Sequence, residues 1–185
     1  MPHRWYDPSR IRVVDRLHLS DDGAVGELDD EPTADAPAGQ PGNGARGMVD
    51  VHNVNHPETR NHGRASGLSL GFTSHYRAMR DMFGVHVTDG IAGENVLVDA
   101  DRLLTADELA GAALRTRHGR EVPFEEVRAA EPCVEFSRFV LQIPRGEAGE
   151  AMRKPLQQLR GGIRGFYVAL AEPVELIAGD QLVLR

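Results

Sequence analysis

The stretch "RGFYVALAEPVELIAGDQLVLR", residues 164–185, closes the chain. It reads as two strands: short runs of aliphatic and aromatic residues, with Gly179 and Asp180 making a tight turn before the last strand. No helical period separates the runs. The same pattern continues upstream. "ALRTRHGREVPFEEVRAAEP" (113–132) reads as a hairpin turning at "HG", and "CVEFSRFVLQI" (133–143) as extended chain. "GIAGENVLVD" (90–99) is a glycine-rich turn running into a strand, and "LSLGF" (68–72), "MVDVHNV" (48–54) and "IRVVDRLHLS" (11–20) are further strands. Helical signals are few. "TSHYRAMRDMFG" (73–84) puts Tyr76, Met79 and Phe83 on one face, with Thr73 as expected N-cap and Gly84 as stop. "TADELAG" (105–111) carries a capping box from Thr105 to Glu108, and "GEAGEAMRKPLQQLRGG" (146–162) has room for one short helix. Eight to ten short strands that do not alternate with helices argue against a doubly wound sheet. The expected fold class is mainly β, an antiparallel barrel with a few short helices.

At 185 residues the chain suits a single domain spanning 1–185. "DDGAVGELDDEPTADAPAGQPGNGARG" (21–47) has no apolar period and is rich in Asp, Glu, Pro and Gly. It is expected to form a flexible acidic loop over about residues 21–46. The net charge of −7 speaks against nucleic acid as a partner. No apolar run reaches bilayer length, so no membrane partner is expected. "MPHRWYDPSR" lacks an apolar signal segment, and Cys133 is the only cysteine. Both features point to a reducing cytoplasm, where Cys133 remains a thiol or thiolate. Lys154 is the only lysine among 21 basic residues, which leaves little scope for Schiff-base chemistry. Arginine suits planar anions such as phosphate.

Four local features occur in order: "GIAGENV" with Gly90, Gly93, Glu94 and Asn95; "EPC" with Pro132 and Cys133; "GGIRGFYV" with Gly161, Gly162, Arg164 and Gly165; and "IAGDQLVL" with Gly179 and Asp180. Each is common alone. As an ordered set, from about residue 48 to the end, they resemble the MOSC domain family, named for the C-terminal domain of molybdenum cofactor sulfurase. The resemblance implies a β-barrel and a site built around Cys133. It implies molybdenum cofactor (molybdopterin), with the Cys133 thiolate as molybdenum ligand, and reduction of N-hydroxylated small molecules. The chain has neither an iron–sulfur cysteine cluster nor a dinucleotide fingerprint, so a separate electron-donor reductase is implied as partner. The alternatives are sulfur transfer through a Cys133 persulfide loaded by a cysteine desulfurase, and a non-catalytic binding module with the same fold. Pyridoxal phosphate attaches to this reading by family association only; its lysine chemistry would belong to another domain.

Candidate cofactor-binding residues beside Cys133 are Gly93, Glu94, Asn95, Arg138, Arg164, His62 and Arg64. A thiolate suits a soft metal centre that already carries sulfur ligands. Backbone N–H groups of the glycine-rich turns, helped by arginine, suit the phosphate of a pterin. Each candidate also has a plainer reading. Cysteine is often simply buried, Glu94 and Asn95 can serve turn architecture, and Arg164 can pair with a surface carboxylate. His52, His56 and His62 lack the spacing and companions of a zinc site, and His75 is expected half exposed on its helix. No serine-nucleophile elbow or phosphate-binding loop is present.

Overall fold

Strand β8 (Phe166–Leu170), in the motif that opens the C-terminal stretch, is the joint of the larger sheet. The structure is a computed structural model describing residues 6–28, 46–59, 61, 67–144 and 153–185. Among these lie ten strands, the others being β1 (Arg16–Ser20), β2 (Gly23–Leu28), β3 (Arg46–Val49), β4 (Ser69–Phe72), β5 (Val96–Val98), β6 (Ala113–Arg115), β7 (Glu121–Ala129), β9 (Val174–Ile177) and β10 (Gln181–Val183). Four α-helices, α1 (Thr73–Phe83), α2 (Ala106–Leu109), α3 (Val134–Val140) and α4 (Arg153–Gln158), and one 3-10 turn at Pro8–Arg10 accompany them. One sheet runs β3-β2-β1-β9 and the other β10-β6-β7-β8-β4-β5. Every pairing is antiparallel except β4 with β5. The fold is therefore mainly β, as expected.

The parallel pair has a consequence for the site. A parallel return needs a crossover, and here residues 73–95 supply it, carrying α1 and then the "GIAGEN" turn. The main core fills the space between the sheets with Leu19, Phe72, Leu114, Phe124, Phe166 and Leu176. A second cluster joins Tyr76 and Met79 of α1 to Phe136 and Val140 of α3, with Leu159 and the partly buried Tyr6. This second cluster underlies the site.

Four local expectations are corrected. Residues 133–143 are not extended: Cys133 caps α3, accepting a hydrogen bond at Sγ from the Phe136 N–H (3.3 Å). Phe136, Ser137 and Val140 then share its buried face, a helical spacing hidden by the β-forming Val and Phe residues. The presumed acidic loop begins with strand β2, where Ala24 and Gly26 are buried and Val25 and Glu27 less so. Small inward residues leave little apolar signal in an alternating pattern. The rest of that segment, 29–45, lies outside the described residues. The C-terminal stretch forms three strands rather than two, because the corner at Gly179–Asp180 passes the chain from one sheet to the other. Thr73 is the first helical residue instead of the cap; its hydroxyl donates to Asp99 (2.8 Å) and accepts from the Ala100 N–H (3.0 Å).

Candidate functional site

Three chain segments meet beside α3. The "GIAGEN" turn brings Glu94, the loop 160–165 brings Arg164, and the end of β7 leads through Ala130 to Cys133. The Ala130 N–H donates to the Gly165 carbonyl (2.9 Å), which fixes the cysteine segment against the arginine loop. A cleft here is lined by His52, Ser69, Gly93, Glu94, Ala130, Arg164 and Tyr167, among others. Two glycines make the approach possible. Gly165 has φ +118°, and a Cβ there would sit 2.3 Å from the Leu70 carbonyl oxygen. A Cβ at Gly71 would lie 2.0 Å from Oε1 of Glu94, so strand β4 is bare where that carboxyl packs.

Cys133 is a free, exposed thiol. Arg164 lies with its guanidinium carbon 5.5 Å from the centroid of the Phe136 ring, a cation–π contact with the first turn of α3. Burial alone would lower its pKa, but the charges of Cys133 and Tyr167, then Glu94, more than offset that, and the net direction is up. Arg164 stays cationic. Its Nε is buried without a hydrogen-bond partner among the described residues.

Glu94 is held by a directional chain. The Ala92 N–H donates to the Tyr76 hydroxyl (2.9 Å), which donates to Glu94 Oε2 (2.7 Å). Oε1 is buried with no partner. Burial raises the Glu94 carboxyl above its ordinary range, and the Tyr76 hydrogen bond and the Arg164 charge only partly counter this. Burial likewise pushes the Tyr76 and Tyr6 phenols up, each reinforced by the Glu94 charge.

Tyr6, absent from the sequence expectations, joins this group. Its ring packs edge-on to Phe136 (centroids 5.6 Å) and against Phe139 (4.9 Å). Its buried hydroxyl has no partner, and it feels the charges of Glu94, Arg164 and Cys133. The sequence signal was faint: one aromatic in a polar segment with no strand period. Five buried side-chain polar atoms lack partners among the described residues, and those of Tyr6, Glu94 and Arg164 belong to this one place. Each such atom costs about 1–3 kcal/mol if nothing meets it, so a cluster of them marks a place built to be met by a ligand.

The other expected site residues separate into two groups. Asn95 is fully engaged in architecture: its Oδ1 accepts from the Ser69 N–H (2.9 Å) and hydroxyl (3.1 Å), while its own N–H donates to Ser69 Oγ (3.1 Å). This clamps the turn to β4. Gly93 lines the cleft with φ +75°. Arg138 sits in the last turn of α3, about 7.5 Å along the axis from Cys133 by helical rise, and its Nε is buried without a partner. His62 and Arg64 lie outside the described residues. His75, expected half exposed, is fully buried at 1% exposure. Its Nδ1 donates to the Gly162 carbonyl (2.9 Å), and its Nε2 accepts from the Leu104 N–H (2.9 Å). It thus pins the loop that carries Arg164. No group of three or more potential metal ligands occurs among the described residues, so a metal here would rest on Cys133 and on ligands it brought with it.

A family model, the MOSC domain, matches residues 57–183. No curated protein matches the chain. Among solved structures, the crystal structure of the YuaD protein from Bacillus subtilis is similar, with a TM-score of 0.53 and 14% identity over 92% of this chain and 85% of that one. At that identity the likeness is one of fold. Among the described residues no helix is long and apolar enough to cross a membrane.

Proposed function

The chain belongs to the MOSC domain family, and from that premise we propose that it binds molybdenum cofactor, with the Cys133 thiolate as metal ligand, and reduces N-hydroxylated small molecules. The observation that carries this reading is the exposed Cys133 thiol standing in one site with the unpartnered, buried polar atoms of Arg164 and Glu94. The residues fit the group. A lone thiolate is a soft ligand for a metal that arrives with its own sulfur donors. Arg164 is a fixed cation for the anionic part of the cofactor. The turn at Gly93 offers a phosphate little, since the N–H groups of Ala92, Gly93 and Asn95 are spent on Tyr76, Gly90 and Ser69, so the anion's charge would rest on Arg164. When bound, the cofactor would supply two-electron redox chemistry at a metal. The chain's own part is to hold it, orient the substrate in the cleft and manage protons. Electrons would come from a separate reductase.

Expression in a cofactor-competent host, followed by elemental analysis for molybdenum and an assay for pterin, tests the reading. Near-stoichiometric amounts of both in the wild type, lost in Cys133→Ala, are expected. Neither in the wild type overturns it. A second reading draws on the exposure of the thiol itself: Cys133 as a sulfur carrier, holding a persulfide delivered by a cysteine desulfurase. Mass spectrometry after incubation with a desulfurase and cysteine would then find one added sulfur, on Cys133 alone.

A further inference from the structure

We infer that residues 6–12 form a strap along one side of the site, and that the ring of Tyr6 limits the size of the group that reaches Cys133. The inference deepens the reading of Cys133 as the working thiol and rests on it. It narrows the substrate class to slim molecules and has bulky ones turned away at the strap. These residues precede the span 57–183 that the family model matches, so the family match does not supply the strap.

The segment touches two walls of the site. At one end Tyr6 packs edge-on to Phe136 (centroids 5.6 Å) and against Phe139 (4.9 Å) on α3. Phe136 is the residue whose N–H donates to Cys133 Sγ (3.3 Å), and its ring also carries the Arg164 guanidinium. Tyr6, Arg164 and Cys133 thus meet on one phenylalanine. At the other end Ile11 covers the "GIAGEN" turn: a Cβ on Gly93 would lie 3.8 Å from Ile11 Cδ1, an ordinary contact distance. Between these anchors the chain is stiffened. Pro8 opens the 3-10 turn with its φ fixed by the ring, and Asp7 caps that turn by accepting from the Ser9 N–H (3.0 Å). Beyond Ile11, Val14 ties the segment to β2, where a Cβ on Gly26 would lie 3.0 Å from Val14 Cγ1. A segment fastened at both ends holds its ring in place. The Tyr6 hydroxyl is buried and feels the charges of Glu94, Arg164 and Cys133, which come from three separate segments. The phenol therefore ends in the space those side chains share. The thiol keeps its solvent side open, and Tyr6 bounds the approach on the side of α3.

The test compares two uncharged reagents with one reactive group, iodoacetamide and pyrenyl iodoacetamide, on the full chain without added cofactor. The thiolate displaces iodide from either, and with one cysteine in the chain the label is unambiguous. Both reagents attack the same thiolate, so the ratio of their rates is independent of its pKa and reads bulk alone. The urea-unfolded chain gives the ratio with no strap in place. In folded wild type the bulky reagent is expected to fall behind that reference by about tenfold or more, as a fitted pocket discriminates by size. Tyr6→Ala should recover most of the difference, and Tyr6→Phe, which keeps the ring, should stay within about twofold of wild type. Ile11→Ala loosens the other anchor and should move the ratio the same way as Tyr6→Ala. That variant carries the test if Tyr6→Ala fails to fold. A wild-type ratio equal to that of the unfolded chain overturns the inference. So does a folded Tyr6→Ala that keeps the wild-type ratio, or one in which both rates rise by the same factor. The labelling needs no molybdenum, so a size limit found in protein that takes up no cofactor would sink the cofactor reading and leave the strap standing.

Discussion

At the scale of single residues, Cys133 has two separable jobs. Its sulfur caps α3, and its thiol faces solvent. Serine keeps the cap and discards the soft ligand. Cys133→Ser is therefore expected to hold its melting temperature within about 2 °C of wild type, since surface changes that preserve local bonds stay within about 0.5 kcal/mol. It should lose molybdenum completely, as read by elemental analysis. Gly165 behaves in the opposite way, offering no side chain to the chemistry yet intolerant of change. Gly165→Ala forces a side chain onto φ +118° and a Cβ to 2.3 Å from the Leu70 carbonyl, and should lose about 2 kcal/mol or more in urea unfolding. Legibility at this scale was uneven. Cys133, Glu94 and Arg164 stood out because each sits in a short motif with glycine or proline beside it. Tyr6 did not, since its part depends on packing against Phe136, 130 positions away.

At the scale of elements, α1 ties the site to the core. His75 accepts from the Leu104 N–H and donates to the Gly162 carbonyl, an arrangement open only to the neutral ring. Burial lowers its pKa below the ordinary 6.5. The unfolded chain therefore takes up a proton that the folded chain resists. This contribution to stability is fully present above pH about 6.5 and is lost as the pH falls through the folded-state value. The urea midpoint of the wild type should drop more between pH 7.5 and pH 5 than that of His75→Gln, whose amide keeps one donor and one acceptor without titrating. The helix itself was readable from Tyr76, Met79 and Phe83, but the burial of His75 was not, because its partners arrive from 29 and 87 residues downstream. Helix α3 escaped for a local reason. Valine and phenylalanine favour strands, and what makes "VEFSRFV" helical is the tertiary slot for Phe136 and the cap supplied by Cys133.

At the scale of the whole molecule, the two sheets are joined at the corner between β9 and β10. Asp180 accepts from the Ile177 N–H (2.9 Å) and from the Arg117 N–H (2.8 Å), so one carboxylate fastens the corner to the turn between β6 and β7. Asp180→Ala strands both donors and should cost about 2 kcal/mol, or roughly 4–8 °C in melting temperature for a chain of this size. The turn role of Asp180 and the mainly β class were legible from local sequence. The division of strands between two sheets was not, since it depends on which edges meet. Strand β8 lies between β7 and β4, joining the hairpin half of the large sheet to the half built on β4 and β5. Because β8 follows β4, β5, β6 and β7 in the sequence, those two halves wait as separate open-edged pieces until it emerges. Glu94 and Cys133 acquire a common frame only when residues 166–170 have left the ribosome and slotted in. Nascent chains halted before that point should be captured by chaperones and cut readily by protease, and a translational pause between β7 and β8 should lengthen that vulnerable interval.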